Sequence, residues 1–173
     1  KVELYKNSTN VRENISQIID DDSFVELNTF SFIKNDFYSQ DVNGLGVVTG
    51  YATIDGFPIY VIAQNGAVLD GGLSSASCQK ILNCQKKAIE ANVPVVYLLD
   101  SKGVQVGEGV SILESISSIL ASSVTLKDIA PQFAVATGDV YGSLSLLFAN
   151  CEYAFTVKDA CVSYASPAVV SAS

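Results

Sequence analysis

The stretch VPVVYLLDSKGVQVGEG, residues Val93–Gly109, decides the fold. It begins as an uninterrupted apolar run, ends that run at Asp100, turns through Gly103 and resumes as a predicted helix opening with Glu108. A buried parallel strand followed by a glycine loop and a helix N-terminus aims backbone N–H groups at an anion or a developing oxyanion. Because the chain has no His, Trp or Met, side-chain chemistry is scarce and backbone donors gain importance.

The length predicts one domain over residues 1–173, and the alternation of predicted strands and helices indicates the α/β class. Hydrophobic residues make up 49% of the chain and charged residues 16%, which is typical of a well-buried fold rather than a disordered segment. The net charge of −8 and the single arginine, Arg12, argue against a nucleic-acid partner, because phosphate contacts need clustered cations.

No apolar run approaches the ~20 residues of a membrane span, and no signal peptide opens the chain. We therefore expect no membrane span and a cytoplasmic location. The chain lacks an initiator Met and stops within the apolar segment SPAVVSAS, so we expect a piece of a longer protein, truncated on its C-terminal side.

Metal binding is not expected. The four cysteines, Cys78, Cys84, Cys151 and Cys161, have no C-x-x-C spacing and no His to complete a zinc site, which favours buried free thiols. The consecutive acids Asp20–Asp22 cannot all face one ion, so a solvated helix end is the preferred interpretation. For Glu108 we favour a capping role at the start of the helix it heads.

The order of predicted elements indicates a ββα unit followed by βα repeats. A helix carrying Val11, Ile15, Ile18 and Ile19 precedes a strand at SFVELNTF and a polar loop at Asn35–Asn43. A hairpin then joins LGVVTGYATI to FPIYVIAQ through Asp55-Gly56, the dipeptide that accepts a type I′ turn. Later elements are a helix at Ser74–Ala91 with Lys80, Lys86 and Lys87 mostly outward, strand Val95–Leu99, helix Glu108–Ser122, strand Gln132–Ala136, helix Gly142–Cys151, and strands Tyr153–Val157 and Cys161–Tyr164.

Glycine loops follow three of the predicted strands, at Gln64–Gly72, Ser101–Gly109 and Thr137–Ser143. In open α/β sheets, ligands sit at the carboxyl ends of the strands. Two such loops that each donate backbone N–H groups to one carbonyl oxygen would stabilise an enolate or a tetrahedral oxyanion without a titrating side chain.

These segments, taken in order, resemble the biotin-dependent carboxyltransferases of the crotonase superfamily. The resemblance covers about Ile18 to Val170, and its SF-x-E opening is typical of the acyl-CoA-binding half, the amino-terminal or β-type half. The matching segments are SFVE (Ser23–Glu26), Gly46–Gly66, Gly71-Gly72 followed by Ser74 and Lys80, DSKGVQVGEG (Asp100–Gly109) and ATGDVYGSLSL (Ala136–Leu146).

The resemblance implies a crotonase-like ββα spiral and a thioester enolate held by backbone amides. One oxyanion pair corresponds to Gly103 and Val104, and the second loop corresponds to Gly142 and Ser143. The substrate-binding residues that it implies are Gly71, Gly72 and Lys80, with Lys86 and Lys87 as further candidates for the phosphates of CoA.

The implied reaction moves a carboxyl group between carboxybiotin and the α-carbon of an acyl-CoA, as in acyl-CoA carboxylases and decarboxylases. The chain would hold no intrinsic cofactor, since a biotin carrier protein would deliver the carboxybiotin. Its further partners would be a second crotonase-type carboxyltransferase half and other copies in an oligomer.

The loops depart from the family's pattern, and this leaves two functional hypotheses open. The family reads S-G-G-A-R where this chain has Ser101–Gln105, and Gly142-Ser143 replaces a glycine pair. A positive φ at Lys102 or Ser143 would cost about 1–2 kcal/mol. The chain is therefore an active carboxyltransferase subunit or an inactive homologue with a structural or CoA-binding role. A thioester hydrolase or isomerase of the same superfamily is a weaker third option, since its acid or base would have to be Glu108 or Asp139, which have structural alternatives.

Overall fold

A computed structural model of the chain describes residues 9–29 and 45–172. The polar loop predicted at Asn35–Asn43 lies outside these ranges. In chain order the elements are α1 (Thr9–Ser16), β1 (Val25–Leu27), β2 (Val47–Ile54), β3 (Phe57–Gln64), a 3₁₀ turn (Leu69–Gly71), α2 (Ser75–Ala91), β4 (Val95–Ser101), a second 3₁₀ turn (Val106–Glu108), α3 (Ser111–Lys127), β5 (Gln132–Tyr141), α4 (Ser143–Asn150), β6 (Tyr153–Thr156), β7 (Val162–Ser163) and α5 (Pro167–Ser171).

The described strands form one mixed sheet in the order β1-β2-β3-β4-β5-β6, with β7 paired to the end of β5. Strands β1, β2 and β3 are antiparallel, whereas β3, β4, β5 and β6 are parallel and joined by helices. The predicted α/β class and the ββα unit at the front of the sheet are confirmed. Parallel strands with helical crossovers place several strand-to-helix loops at one edge of the sheet.

The hairpin forms at the predicted dipeptide. Asp55 has φ 51° and Gly56 has φ 78°, the positive values that a type I′ turn requires. The Asp20 carboxylate accepts hydrogen bonds from the Thr53 hydroxyl (2.6 Å) and from the backbone N–H groups of Asp55 and Gly56 (both 2.9 Å). These bonds, the one from Thr53 first, lower the pKa of Asp20. Asp20 therefore fixes the hairpin turn, a role that the sequence did not predict, while Asp21 and Asp22 are exposed, in agreement with a solvated segment.

Alternate residues of β4 supply two cores. Val95, Tyr97 and Leu99 join the larger apolar cluster, which also contains buried residues of α2, α3 and α4. Val96 and Leu98 join a smaller cluster with Val11 and Ile15 of α1. Burial on both faces explains why this strand is a continuous apolar run rather than an alternating one.

The SF-x-E segment joins β1 to the rest of the fold. The Ser23 hydroxyl accepts from the Thr53 N–H (3.3 Å), and the Phe24 ring leaves no room for a Cβ at Gly50. The Glu26 carboxylate binds the Arg12 guanidinium at 2.6 Å and lies 3.9 Å from the Lys80 ammonium. Each named residue of this motif therefore has a packing or pairing role within the fold.

Some predicted boundaries and orientations were wrong. Lys80, expected to face outward, is only 4% exposed, because its ammonium faces Glu26 across the β1–β2 side of α2. Helix α3 begins at Ser111 rather than Glu108, since residues Val106–Glu108 form a separate 3₁₀ turn. Strand β5 continues past Ala136 to Tyr141 because its end pairs with β7.

The cysteines are unpaired, as expected. Cys78, Cys84 and Cys151 are buried, and burial raises the pKa of each thiol to about 12. Cys161 is partly exposed. Over residues 9–29 and 45–172, no helix has the length and apolar character needed to cross a membrane.

Candidate active site

The first two glycine loops are hydrogen-bonded to each other beside the end of β4. The Lys102 N–H donates to the Asp70 carbonyl (3.0 Å), the Leu73 N–H to the Gly103 carbonyl (3.0 Å), and the Gln105 N–H to the Leu73 carbonyl (2.8 Å). Leu73 and Val104 thereby form a short parallel bridge beyond the ends of the sheet. This pairing fixes the backbone of the loop that follows β4.

The turn before α4 meets the same loop. A Cβ placed on Gly142 would lie 4.0 Å from the Gly103 Cα, so the two glycines face each other closely. Gly103 has φ 130°, and Gly142 has φ 68° with ψ −139°, a combination largely restricted to glycine. The structure thus brings together the predicted residues Gly103, Val104, Gly142 and Ser143.

The backbone N–H groups of these four residues differ in availability. The Gly103 N–H donates to the Ser101 hydroxyl (3.3 Å), and the Gly142 N–H donates to the carbonyls of Ser163 (3.3 Å) and Tyr164 (3.1 Å). Within the described ranges, no group accepts from the N–H of Val104 or Ser143. The glycines supply the loop conformation, and Val104 and Ser143 supply one open donor from each loop.

The residues that depart from the family's pattern leave the loop conformation intact. Neither Lys102 nor Ser143 has a positive φ, so the expected strain at these positions is absent. The side chain of Val104 packs against the larger apolar cluster. Positive φ values fall on the glycines that the chain retains, Gly103 and Gly142.

Gly71 and Gly72 allow a close approach of the loop after β3 to β4. A Cβ on Gly71 would overlap the Asp100 carbonyl, and one on Gly72 would overlap the Gln105 side-chain amide. Their own N–H groups donate to the carbonyls of Val68 (2.9 Å) and Leu69 (2.8 Å). The turn therefore positions the loops with its backbone donors already used, and its predicted contact with an acyl-CoA stays a prediction.

The ammonium of the predicted substrate-binding Lys80 lies 3.9 Å from the Glu26 carboxylate of β1, and its contact with a substrate stays a prediction. Its burial lowers the pKa of the ammonium, while the nearby Glu26 carboxylate acts in the opposite direction. Lys86 and Lys87 are exposed but lie along α2, at least 11 residues beyond its first residue. At 1.5 Å per residue this is about 16 Å from the loop end of the helix.

Asp100, which the sequence patterns did not single out, lies where the three loops converge. Its carboxylate occupies the space that a Cβ would need at both Gly66 and Gly138. Burial raises the pKa of Asp100, and the nearby Asp139 raises it further. A signal was available in the sequence, because Gly66 follows β3 and Gly138 lies within β5, the two strands that flank β4.

Glu108 caps a different helix from the expected one. Its carboxylate accepts from the Ser75 N–H (2.7 Å) at the first turn of α2. Ser74 and Ser77 add a capping box at the same helix end. Glu108 therefore caps a helix, as predicted, but the helix is α2. The hydrogen bond from Ser75 joins the loop after β4 to the start of α2.

The described residues contain no cluster of His, Cys, Asp or Glu suited to a metal ion. Open backbone donors on two neighbouring loops are suited instead to holding a carbonyl oxygen that becomes negatively charged.

Comparison with known proteins gives one consistent result. The model of the carboxyl transferase domain family matches residues 3–173. The propionyl-CoA carboxylase beta chain of Homo sapiens is 37% identical over 153 residues, covering 86% of this chain and 28% of the relative. The methylmalonyl-CoA decarboxylase subunit alpha of Veillonella parvula is 32% identical over 151 residues, covering 86% of this chain and 30% of the relative.

A solved structure also matches the fold. Transcarboxylase 12S, with methylmalonyl-coenzyme A and methylmalonic acid bound, superposes with a TM-score of 0.88 at 25% identity. The match covers 94% of this chain and 32% of that one. The chain thus spans less than a third of the length of these relatives.

Proposed function

The chain belongs to the carboxyl transferase domain family, and from this premise we propose that it is the acyl-CoA-binding part of a biotin-dependent carboxyltransferase. The reaction is the movement of a carboxyl group between carboxybiotin and the α-carbon of an acyl-CoA. The sheet and the order of its loops match the crotonase-like fold of the carboxyltransferases.

One observation carries the proposal: the loops at Gly103 and Gly142 meet, and each leaves one backbone N–H open, on Val104 and on Ser143. When the α-carbon of a thioester loses its proton, the electron pair moves onto the thioester oxygen. Two fixed N–H donors stabilise that charge without reorganising during the reaction, and removal of one such donor in other enzymes costs about 10²–10³ in rate.

The chain's own residues position the thioester. The Leu73–Val104 bridge fixes the first loop, and the Gly142 N–H bonds to Ser163 and Tyr164 fix the second. Carboxybiotin would supply the carboxyl group: the bond from its ring nitrogen to the carboxyl carbon breaks as that carbon bonds to the α-carbon, and the ring nitrogen takes up the α-proton. The chain has no His, so oxyanion stabilisation by backbone amides is the contribution that we assign to it.

The proposed partners follow from the assignment of oxyanion stabilisation alone to this chain. A biotin carrier protein would deliver carboxybiotin, and a second crotonase-type half would hold it opposite the thioester. No intrinsic cofactor is proposed. Relatives named for propionyl-CoA and methylmalonyl-CoA support short acyl and carboxyacyl thioesters as the substrate class.

The test mixes the purified chain with a biotin carrier and a second carboxyltransferase half, and measures exchange of labelled carboxyl between methylmalonyl-CoA and the carrier. Exchange that depends on this chain is the expected result. Binding of acyl-CoA without exchange in any complete set of partners would favour the inactive, CoA-binding homologue. Absence of both binding and exchange would contradict the acyl-CoA site itself.

A further inference from the structure

A lysine side chain, that of Lys102, lies in the loop between the end of β4 and the open amide of Val104. Lys102 stands immediately before Gly103, and consecutive Cα atoms are only about 3.8 Å apart. Its side chain is 58% exposed, and its ammonium lies 3.3 Å from the Asp70 carboxylate, which is itself exposed. One solvent-exposed ion pair therefore holds the ammonium at the surface of the loop.

The partner of Lys102 is presented by a strained turn. Leu69 (φ 50°) and Asp70 (φ 54°) are consecutive non-glycine residues with left-handed backbone conformations. The turn is retained by bonds from the Gln105 side-chain amide to the Leu69 carbonyl (3.1 Å) and from the Lys102 N–H to the Asp70 carbonyl. Backbone strain of this kind is concentrated at sites that bind ligands or switch contacts.

The electrostatic surroundings make this cation important for an anionic ligand. The chain carries a net charge of −8, and three carboxylates lie in this region: Asp70 in the turn after β3, Asp100 near the end of β4 and Asp139 near the end of β5. Lys102 is the cationic side chain in the two loops that carry Gly103 and Gly142. Because Lys102 stands two residues before Val104, its ammonium is within reach of an anion held at the open Val104 amide.

We propose that Lys102 binds the carboxylate that distinguishes a carboxylated acyl-CoA from the acyl-CoA without it, exchanging its Asp70 partner for the substrate. The inference rests on the proposed function, because it takes the thioester oxygen to lie on the Val104 and Ser143 amides. In a malonyl-type thioester, the carboxylate and the thioester carbonyl share one α-carbon. The four-carbon stem of lysine allows the ammonium to move from Asp70 to such a neighbouring group.

The test compares three ligands by calorimetric titration: methylmalonyl-CoA, propionyl-CoA and CoA alone. Lys102→Met keeps most of the stem and removes the charge. Lys127→Met is the matched control, because Lys127 is also an exposed lysine paired with a carboxylate, that of Glu152 at 3.7 Å, and lies in the last turn of α3. Asp70→Asn releases the ammonium from its partner.

Lys102→Met is expected to weaken methylmalonyl-CoA binding about three- to tenfold, while propionyl-CoA and CoA change less than about twofold. Asp70→Asn is expected to tighten methylmalonyl-CoA binding, and Lys127→Met to change the binding of the three ligands equally and slightly. Equal weakening of all three by Lys102→Met would overturn the inference in favour of a CoA phosphate contact.

Unchanged binding of all three ligands in Lys102→Met would also overturn the inference, while the acyl-CoA site would stand. If the parent chain bound none of the three, the proposed function would be contradicted as well. The two failures are thus distinguished by the parent chain alone. Thermal unfolding of each variant checks that the exposed substitutions leave the fold unchanged.

Discussion

Substitution of Gly142 by alanine tests the conformation on which the candidate site depends. A Cβ at this position has room, since it would lie 4.0 Å from the Gly103 Cα. The cost is therefore one of backbone conformation, because φ 68° with ψ −139° is nearly closed to other residues. We expect a loss of about 1–3 kcal/mol in the free energy of unfolding, or about 2–12 °C in Tm for a chain of this size.

Relief of that strain would rotate the peptide between Gly142 and Ser143. Rotation would move the open Ser143 N–H and break the bonds that the Gly142 carbonyl accepts from the Ser145 N–H (3.0 Å) and hydroxyl (2.7 Å). Loss of one neutral hydrogen bond predicts acyl-CoA affinity lower by about two- to tenfold. Loss of an oxyanion donor predicts carboxyl exchange slower by about 10²-fold or more.

Thermal unfolding, calorimetric titration with propionyl-CoA and the exchange assay measure these effects together. Gly56→Ala is the matched control, because Gly56 also has a positive φ (78°) and open space around it, but lies in the hairpin turn. The control is expected to lower stability by about 1–2 kcal/mol and to leave binding unchanged. Equal stability loss in both variants with unchanged binding and exchange in Gly142→Ala would refute the assignment of the Ser143 amide.

Three further predictions concern the loops and the fold that holds them. Gly50→Ala forces a methyl group into the Phe24 ring and should lower the free energy of unfolding by about 1–3 kcal/mol; unchanged denaturant unfolding would contradict that packing. Glu108→Gln removes the charge at the first turn of α2 and should cost about 0.5–2 kcal/mol by the same measurement, whereas no loss would show that the Ser75 contact adds nothing. Burial penalises the charged form of Asp100 and raises its pKa in the folded state. The parent should therefore lose stability relative to Asp100→Asn as the pH rises from about 4, and the loss should level off above the raised pKa. A Tm difference between the two proteins that does not change with pH would contradict this.

The fold was largely predictable because local signals and long-range packing agree. Asp55-Gly56 specified the hairpin turn, and the apolar run before Asp100 specified a strand buried on both faces. Where the prediction failed, a distant partner decided the outcome. Lys80 is buried because the Glu26 carboxylate of β1 lies across from it, and the hydrophobic periodicity of α2 carries no information about a carboxylate on a strand.

The candidate site was predicted by position but not by role. The four residues of the two loops come together as expected, yet the Gly142 N–H is taken by carbonyls of Ser163 and Tyr164 from a later part of the chain. Only the folded structure shows that the open donors belong to Val104 and Ser143. Similarly, Glu108 was expected to act within its own segment, and the tertiary fold places it on the first turn of α2.

In the proposed function, one backbone N–H from each loop donates a hydrogen bond to the thioester oxygen. The most direct test is an amide NMR titration of the ¹⁵N-labelled chain with propionyl-CoA, which reports each N–H separately. We expect large, saturable changes in the amide chemical shifts of Val104 and Ser143 and none for Gly56. Saturable binding that leaves both amides unshifted would contradict it.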